Sequence, residues 1–280
     1  MLHSIILPHK NRNRALFQTL WSVRRSAVAC HVDDYEVVVV DALSQFPPLL
    51  ATHHERVVTN HIPSEVFNKS LCLNIGIEQS KGDVLTFLDA DMLVGWYWMR
   101  GVTRLFGPDR LTRLCYRARQ LIVSDQGDNQ AILLNMLEGA VDKDQMVQGW
   151  FDSYARSTKC YEAYGDPDRG NNPKQTEPVF GNSQFSIRRD VLGDLRYNDE
   201  MVGAGFEDLW MIRQIWEQYG DDYRGVILTG ADDALLHMGH PRPIARRAPG
   251  YAEYSAGWCT KKLNDANKAR YKNRWPKASW

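Results

Sequence analysis

The chain has 280 residues, 44% of them hydrophobic and 24% charged, an ordinary globular composition able to bury a sizeable core. Lys and Arg number 34 and Asp and Glu number 34, so the net charge is zero and no broad electrostatic attraction to nucleic acid or acidic membranes is suggested. The five cysteines, Cys30, Cys72, Cys115, Cys160 and Cys259, are scattered without a Cys-x-x-Cys pair and are odd in number, which argues for reduced thiols over a disulfide framework. The opening residues Met1 to Pro8 run straight into a strand-like pattern with no basic start or cleavage site, so they do not read as a signal peptide. No apolar run approaches the ~20 residues that span a bilayer. The expectation is a soluble, cytoplasmic protein.

In chain order, Ser4 to Leu7 is a short apolar run that reads as a buried strand. Arg14 to Ala29 reads as a helix with Ala15, Leu16, Leu20, Trp21 and Val23 on its apolar side. Tyr35 to Val40 is a β-branched run entering Asp41, a second buried strand. Ser64 to Gln79 reads as a helix with Ser64 as N-cap, and Val84 to Leu88 as a third buried strand ending at Asp89-Ala90-Asp91. Strands alternating with helices imply a mostly parallel sheet covered on both faces, an α/β fold. A strand is expected within Arg113 to Val123. From Ser124 to Pro178 the pattern weakens, and Gly165 to Pro173 reads as a long surface loop, mobile or facing an acceptor. Order returns at Val179 to Ile187, then a helix at Phe206 to Tyr219 and a strand at Gly225 to Leu228. Tyr251 to Trp280 mixes basic and aromatic residues and reads as a closing helix or an acceptor-facing tail, separate from a main domain at 1–250.

Five constellations carry chemistry. Asp89 and Asp91 stand beyond a buried strand, where ligands bind in open α/β sheets. One carboxylate there can bind a divalent cation, Mg²⁺ or Mn²⁺, while the other serves the cation shell or a ribose hydroxyl; the bland alternative is a solvated turn. In Pro8-His9-Lys10-Asn11-Arg12, Pro8 fixes the turn and Lys10 and Arg12 can meet phosphates or pack on a base. Asp41 can accept from a nucleobase N–H or simply form a turn. Within Phe67 to Gly76, Lys69 and Asn74 are the polar exceptions that could face a ligand, and Gly76 allows close helix–sheet packing. Glu207-Asp208 begins a helix: one acid suits the helix dipole, the other a general base. His237 and His240, three apart beside glycine, can share a metal or serve the structure.

These pieces, in this order, resemble the GT-A glycosyltransferases, closest to the β-1,4-galactosyltransferase type and the related family 2 and polypeptide N-acetylgalactosaminyltransferase groups. The matching segments are Pro-His-Lys-Asn-Arg, Phe-Asn-Lys-Ser-Leu-Cys-Leu-Asn-Ile-Gly, Leu-Asp-Ala-Asp, Phe-Gly-Asn-Ser-Gln-Phe-Ser-Ile-Arg-Arg-Asp, Gly-Phe-Glu-Asp and His-Met-Gly-His, spread from Ile5 to His240. The resemblance implies a metal-dependent transfer from a nucleotide sugar, a UDP-sugar, to an acceptor hydroxyl. It implies that Pro8, Lys10 and Arg12 line the nucleotide site with Asp41 near the base. Phe67 and Lys69 would contact donor, with lysine where the family has arginine. Asp89 would approach the ribose and the metal shell, Asp91 and His240 would ligate the metal, and His237 falls where the galactosyltransferases have a methionine ligand. Asp208 would be the catalytic base and Glu207 would bind acceptor or sugar hydroxyls. Glu207-Asp208 in place of the Glu-Asn of the retaining enzymes points to inversion. Ala204-Gly205-Phe206 replaces the family's Trp-Gly-Gly, and Asp41-Ala42-Leu43-Ser44 its Asp-Asp-Gly-Ser.

The rival readings are a retaining transferase, a sugar nucleotidyltransferase, whose Gly-rich loop is missing, and a non-catalytic nucleotide-sugar-binding module. The acceptor is a saccharide in the simplest reading, with protein or modified nucleic acid as the others. A basic C-terminal run, Lys261, Lys262, Lys268, Arg270, Lys272, Arg274 and Lys277, with Tyr271 and Trp275 interleaved, fits the last, although a solvated helix face explains it as well.

Overall fold

A computed structural model describes residues 1–61, 66–106, 114–118, 120–122, 161–162, 184–203, 205–219, 224–228, 235–237 and 261–276. The expectations for Ser64, for the loop at Gly165 to Pro173 and for His240 lie outside the described residues.

Strand β1 (His3–His9) is buried along its whole length, as are β4 (Val84–Leu88) and, apart from Glu36, β2 (Tyr35–Asp41). Continuous apolar runs of this kind are strands covered on both faces, and all three pair in parallel, β2 and β4 flanking β1. β1 runs through Pro8 instead of ending before it, with Pro8 opposite Val40 in the register. Strand β3 (Glu55–Thr59) adds an edge beside β2. On the other side β9 (Gln184–Arg188) runs antiparallel between β4 and β6 (Leu114–Ala118), with β10 (Arg224–Leu228) parallel to β6. The sheet order is β10-β6-β9-β4-β1-β2-β3, mostly parallel with β9 reversed. A second sheet has the order β5-β11-β7-β8, from β5 (Met92–Val94), β11 (Leu235–His237), β7 (Gln120–Ile122) and β8 (Tyr161–Glu162).

Alternation along β1 sends Ile5 and Leu7 to one face and Ile6 to the other. The first face packs against α1 (Asn13–Ala29), through Leu16, Leu20 and Val23, and α3 (Trp98–Leu105), through Trp98 and Met99. The second packs against α2 (Lys69–Gln79), through Leu73 and Ile77, and α5 (Glu207–Tyr219), through Met211, Ile212 and Ile215. A short turn of helix, α4 (Arg189–Leu192), follows β9. Gly76 lets α2 approach β1 closely: a Cβ there would stand 2.2 Å from the Ile6 Cγ2 methyl. α2 begins at Lys69, later than the sequence pattern suggests, because Asn68 caps it, its side chain accepting from Leu71 N at 3.0 Å. The last helix, α6 (Lys261–Arg274), lays Tyr271 and Trp275 against Met201, Phe206, Leu209 and Trp210. No helix among the described residues is long and apolar enough to cross a membrane.

Candidate active site

β1, β2 and β4 run in parallel, so His9, Asp41 and Asp89 come out at one edge of the sheet. His9 is fully buried and its Nδ1 lies 2.8 Å from Asp41 Oδ1. Its Nε2 accepts from Arg12 N at 3.1 Å, so Nε2 carries no proton and Nδ1 is the donor to Asp41. Ser44 closes the same group, its N donating to Asp41 Oδ2 at 3.0 Å and its Oγ to Oδ1. Burial alone would raise the Asp41 carboxyl, but the hydrogen bonds from His9 and Ser44 outweigh it and hold the group below its ordinary value. Asp41 is therefore a buried turn anchor with both oxygens engaged by protein. Asn11, in the left-handed region at φ 54°, receives Gln45 N on its Oδ1 at 2.7 Å and donates its own N to Ser44 Oγ at 2.7 Å. The loops after β1 and β2 are zipped together in this way. Sequence reasoning passed over His9, Asn11 and Ser44, although His9 and Asn11 lie inside the Pro-His-Lys-Asn-Arg segment it singled out.

The turn so fixed aims Arg12 at Asp91, and the two form an ion pair across the cleft. Thr19 of α1 holds the Asp89-Ala90-Asp91 turn from behind, donating to Ala90 O at 2.9 Å. Lys10, directly after β1, is half-buried. Strand β11 then brings in the C-terminal half of the chain: His237 pairs with Met92, so its backbone stands opposite the residue after Asp91.

Lys69, in the first turn of α2 and buried, is the centre of the second group. Its Nζ stands 2.9 Å from Asp89 Oδ1, 3.1 Å from Glu207 Oε1 and 3.5 Å from Asp208 Oδ2. Burial opposes its charge, but Asp208, Asp89 and Glu207 together keep the ammonium protonated far above the ordinary lysine range. The Asp208 carboxyl, 21% exposed, is pushed up to about 7: burial raises it, Lys69 pulls it back, and Glu207 and Asp89 raise it further. The elements carrying these groups are tied at backbone level. Asn68 Nδ2 donates to Asp199 O at 2.7 Å, and Gly203 N donates to Phe67 O at 2.8 Å.

Three residues expected at the ligand make contacts within the scaffold. Asn74 donates to Tyr197 O and accepts from Tyr197 N, both at 2.9 Å, a two-point clamp that leaves its amide turned away from the cleft. Phe67 is buried among Val38, Val40, Ala42 and Cys72. Pro8 is a buried residue of β1.

Arg12 and Lys69 face Asp89, Asp91, Glu207 and Asp208, two cations against four carboxylates. The formal excess of two negative charges on oxygen donors suits one hard divalent cation. Among the described residues, no three side chains of histidine, cysteine or acid type converge tightly enough to hold an ion by themselves. A cation here would need further ligands from a bound diphosphate or from the chain beyond β11.

A mixed sheet of this order, with acids at the carboxyl ends of its parallel strands, is the GT-A fold of the glycosyltransferases. Residues 4–115 match the sequence model of glycosyl transferase family 2. Two solved structures share the fold. The mannosyltransferase PcManGT from Pyrobaculum calidifontis, in complex with GDP-Man and Mn²⁺, superposes with a TM-score of 0.53 at 15% identity over 99% of this chain and 65% of its own. S. aureus TarS 1-349, in complex with UDP, superposes with a TM-score of 0.51 at 15% identity over 84% of this chain and 60% of its own. The chain thus spans somewhat under two thirds of the length of either structure. No curated protein sequence matches it.

Proposed function

We propose that the protein transfers a sugar from a nucleotide diphosphate sugar, a UDP-sugar in our reading, to an acceptor hydroxyl with inversion at the anomeric carbon. The observation that carries the reading is the buried Lys69 ammonium gripping Asp89, Glu207 and Asp208 beside Asp91, within a GT-A fold. Residues 1–250 would be the transferase domain and 251–280 a basic and aromatic tail or closing helix.

Asp91 and Asp89 would hold a Mn²⁺ or Mg²⁺ ion, with His237 and His240 as the other candidate ligands. The register of His237 opposite Met92 supports this by bringing that segment to Asp91. When bound, the cation neutralises charge developing on the leaving diphosphate. Lys10 and Arg12 serve the phosphates, and Lys69 takes the donor-side place of the family's arginine while drawing the acids together. Asp208 is the base. An acid with a pKa near neutrality both exists as carboxylate at working pH and is basic enough to accept a proton, and about 7 for Asp208 meets that condition. It takes the proton of the acceptor hydroxyl as that oxygen attacks the anomeric carbon and the nucleoside diphosphate leaves. Glu207, buried and bonded to Lys69, fixes that geometry and binds sugar hydroxyls.

The test is release of nucleotide from UDP-glucose, UDP-galactose, UDP-N-acetylglucosamine and GDP-mannose, with and without Mn²⁺, alone and with added oligosaccharide. Metal-dependent release from a UDP-sugar, with product of opposite anomeric configuration by proton NMR, is the expected result. Release from none of them under any condition contradicts the transferase reading, and retained configuration contradicts the role of Asp208.

A further inference from the structure

Glu207 and Asp208 follow a loop held in an unusual backbone conformation: φ is 86° at Gly203, 115° at Gly205 and 71° at Phe206. Glycine takes such angles freely, but a phenylalanine does so only where its surroundings over-determine it. The surroundings come from α6, 62 residues further along the chain. Asn267, 1% exposed, donates from Nδ2 to Val202 O at 3.1 Å and to Gly205 O at 3.2 Å. Both partners are carbonyls, so only the amide nitrogen can face them, and each of its hydrogens has an acceptor. One turn on, Tyr271 lays its ring 6.0 Å from that of Phe206. Trp275 Nε1 donates to Glu217 and anchors the far end of α6 on α5. From the opposite side Gly203 N is held by Phe67 O, two residues before Lys69.

We propose that Asn267 is a positioning residue for the acid pair. By bridging Val202 and Gly205 it fixes the entry into α5 so that Glu207 and Asp208 meet Lys69. The proposal rests on Asp208 being the base. It gives the C-terminal helix, outside the segment that matches the family, a part in the reaction. Asparagine is required because two carbonyls on a turn need two donors on one short planar group; a hydroxyl can serve only one.

The test compares wild type, Asn267→Ala, Asn267→Ser, Trp275→Phe and Asp208→Asn. Nucleotide release is measured on the UDP-hexose giving most turnover with Mn²⁺, with Kd for UDP by calorimetry and Tm by thermal melting. A misplacement of about 1 Å can cost ~10²-fold in rate, so Asn267→Ala should lower kcat by roughly ten-fold or more with Kd for UDP little changed. Asn267→Ser, keeping one donor, should fall between, and it carries the comparison if the alanine variant does not fold. Trp275→Phe removes the Glu217 bond of the same helix, and should lower Tm while leaving kcat near wild type. Normal kcat in the Asn267 variants, with turnover lost in Asp208→Asn, overturns the positioning role alone. A fall in kcat that simply tracks Tm in the Asn267 and Trp275 variants alike also overturns it. Normal turnover in Asp208→Asn overturns the base assignment, and the proposal with it.

Discussion

The carboxyl ends of β1 and β2 and the start of α5 both present charged groups to the cleft, but they are held by different means. At the ends of β1 and β2, His9, Asn11, Asp41 and Ser44 are fixed by neighbours no more than 35 residues away, in loops that follow directly from buried strands. On the acid side, Lys69 meets Asp208 across 139 residues, Asn68 meets Asp199 across 131, and Asn267 reaches back over 62 to Gly205. The first kind of site is preorganised as soon as the parallel sheet forms. The second exists only once distant segments have docked, and its groups stay close to net repulsion, three acids around one ammonium. Removing a single group should therefore do more on the acid side.

The largest effect is expected at Asp208. Asp208→Asn keeps the shape and removes the proton acceptor, so kcat should fall by about 10²–10⁴-fold. In the wild type, kcat/KM should rise as pH passes through about 7, as the carboxyl ionises. Stability should move the other way. A carboxyl whose folded pKa is raised above its unfolded value binds more protons folded, so its contribution to stability falls as pH rises from the unfolded value, about 4, through the folded one. Asp208→Asn should accordingly be more stable relative to wild type at pH 8 than at pH 5, measured by urea unfolding. A variant equally destabilised at both values would mean that the carboxyl is not strained in the native state.

Next comes Lys69→Met, which leaves Asp89, Glu207 and Asp208 without their shared cation. Breaking a buried ion cluster on one side costs about 3–5 kcal/mol, and the loss should be greater at pH 8 than at pH 5 because Asp208 is protonated at the lower pH. Urea unfolding at the two pH values reads this directly. A pH-independent loss would point to packing of the lysine stem instead. Smaller is Gly76→Ala, which lies between the two regions. The added Cβ would meet the buried Ile6 Cγ2 methyl, and forcing α2 off β1 should cost about 1–3 kcal/mol despite the gain in helix propensity. Thermal melting checks the loss, and an unchanged Tm would mean that α2 slides without resistance.

The same contrast decides what could be read from the sequence. Unbroken apolar runs in β1, β2 and β4, and helical spacing in α1 and α5, revealed the parallel core and put Asp89 and Asp91 at a strand end. β3 and β5 were missed because one is a half-buried edge strand with two valines and the other has three residues, too short for any period to show. The reversed strand β9, Gln184–Arg188, shows the same alternation of Phe185 and Ile187 with polar residues whichever way it runs. The bonds that hold Asp41 and Asn74 do not show in the sequence, because a polar residue at a strand end or on a helix looks the same whether it faces solvent or a buried backbone; the Ser44 turn and the Tyr197 clamp are tertiary facts. Asn267 carries no signal of its own, being one of three asparagines, with Asn264 and Asn273, in a helix otherwise notable for its charges. Lys69 was singled out as ligand-facing, but nothing in Phe-Asn-Lys-Ser-Leu tells that its ammonium will gather three acids from two distant segments.

Calorimetric titration of UDP into the wild type and Asp91→Ala, each with Mn²⁺ and after EDTA, tests most directly whether the strand-end acids bind a metal-held nucleotide diphosphate. We expect UDP to bind the wild type with Mn²⁺, to lose most of its affinity after EDTA, and to bind Asp91→Ala weakly in both conditions. Equal affinity with and without metal, or an unaltered Kd in Asp91→Ala, would contradict the claim.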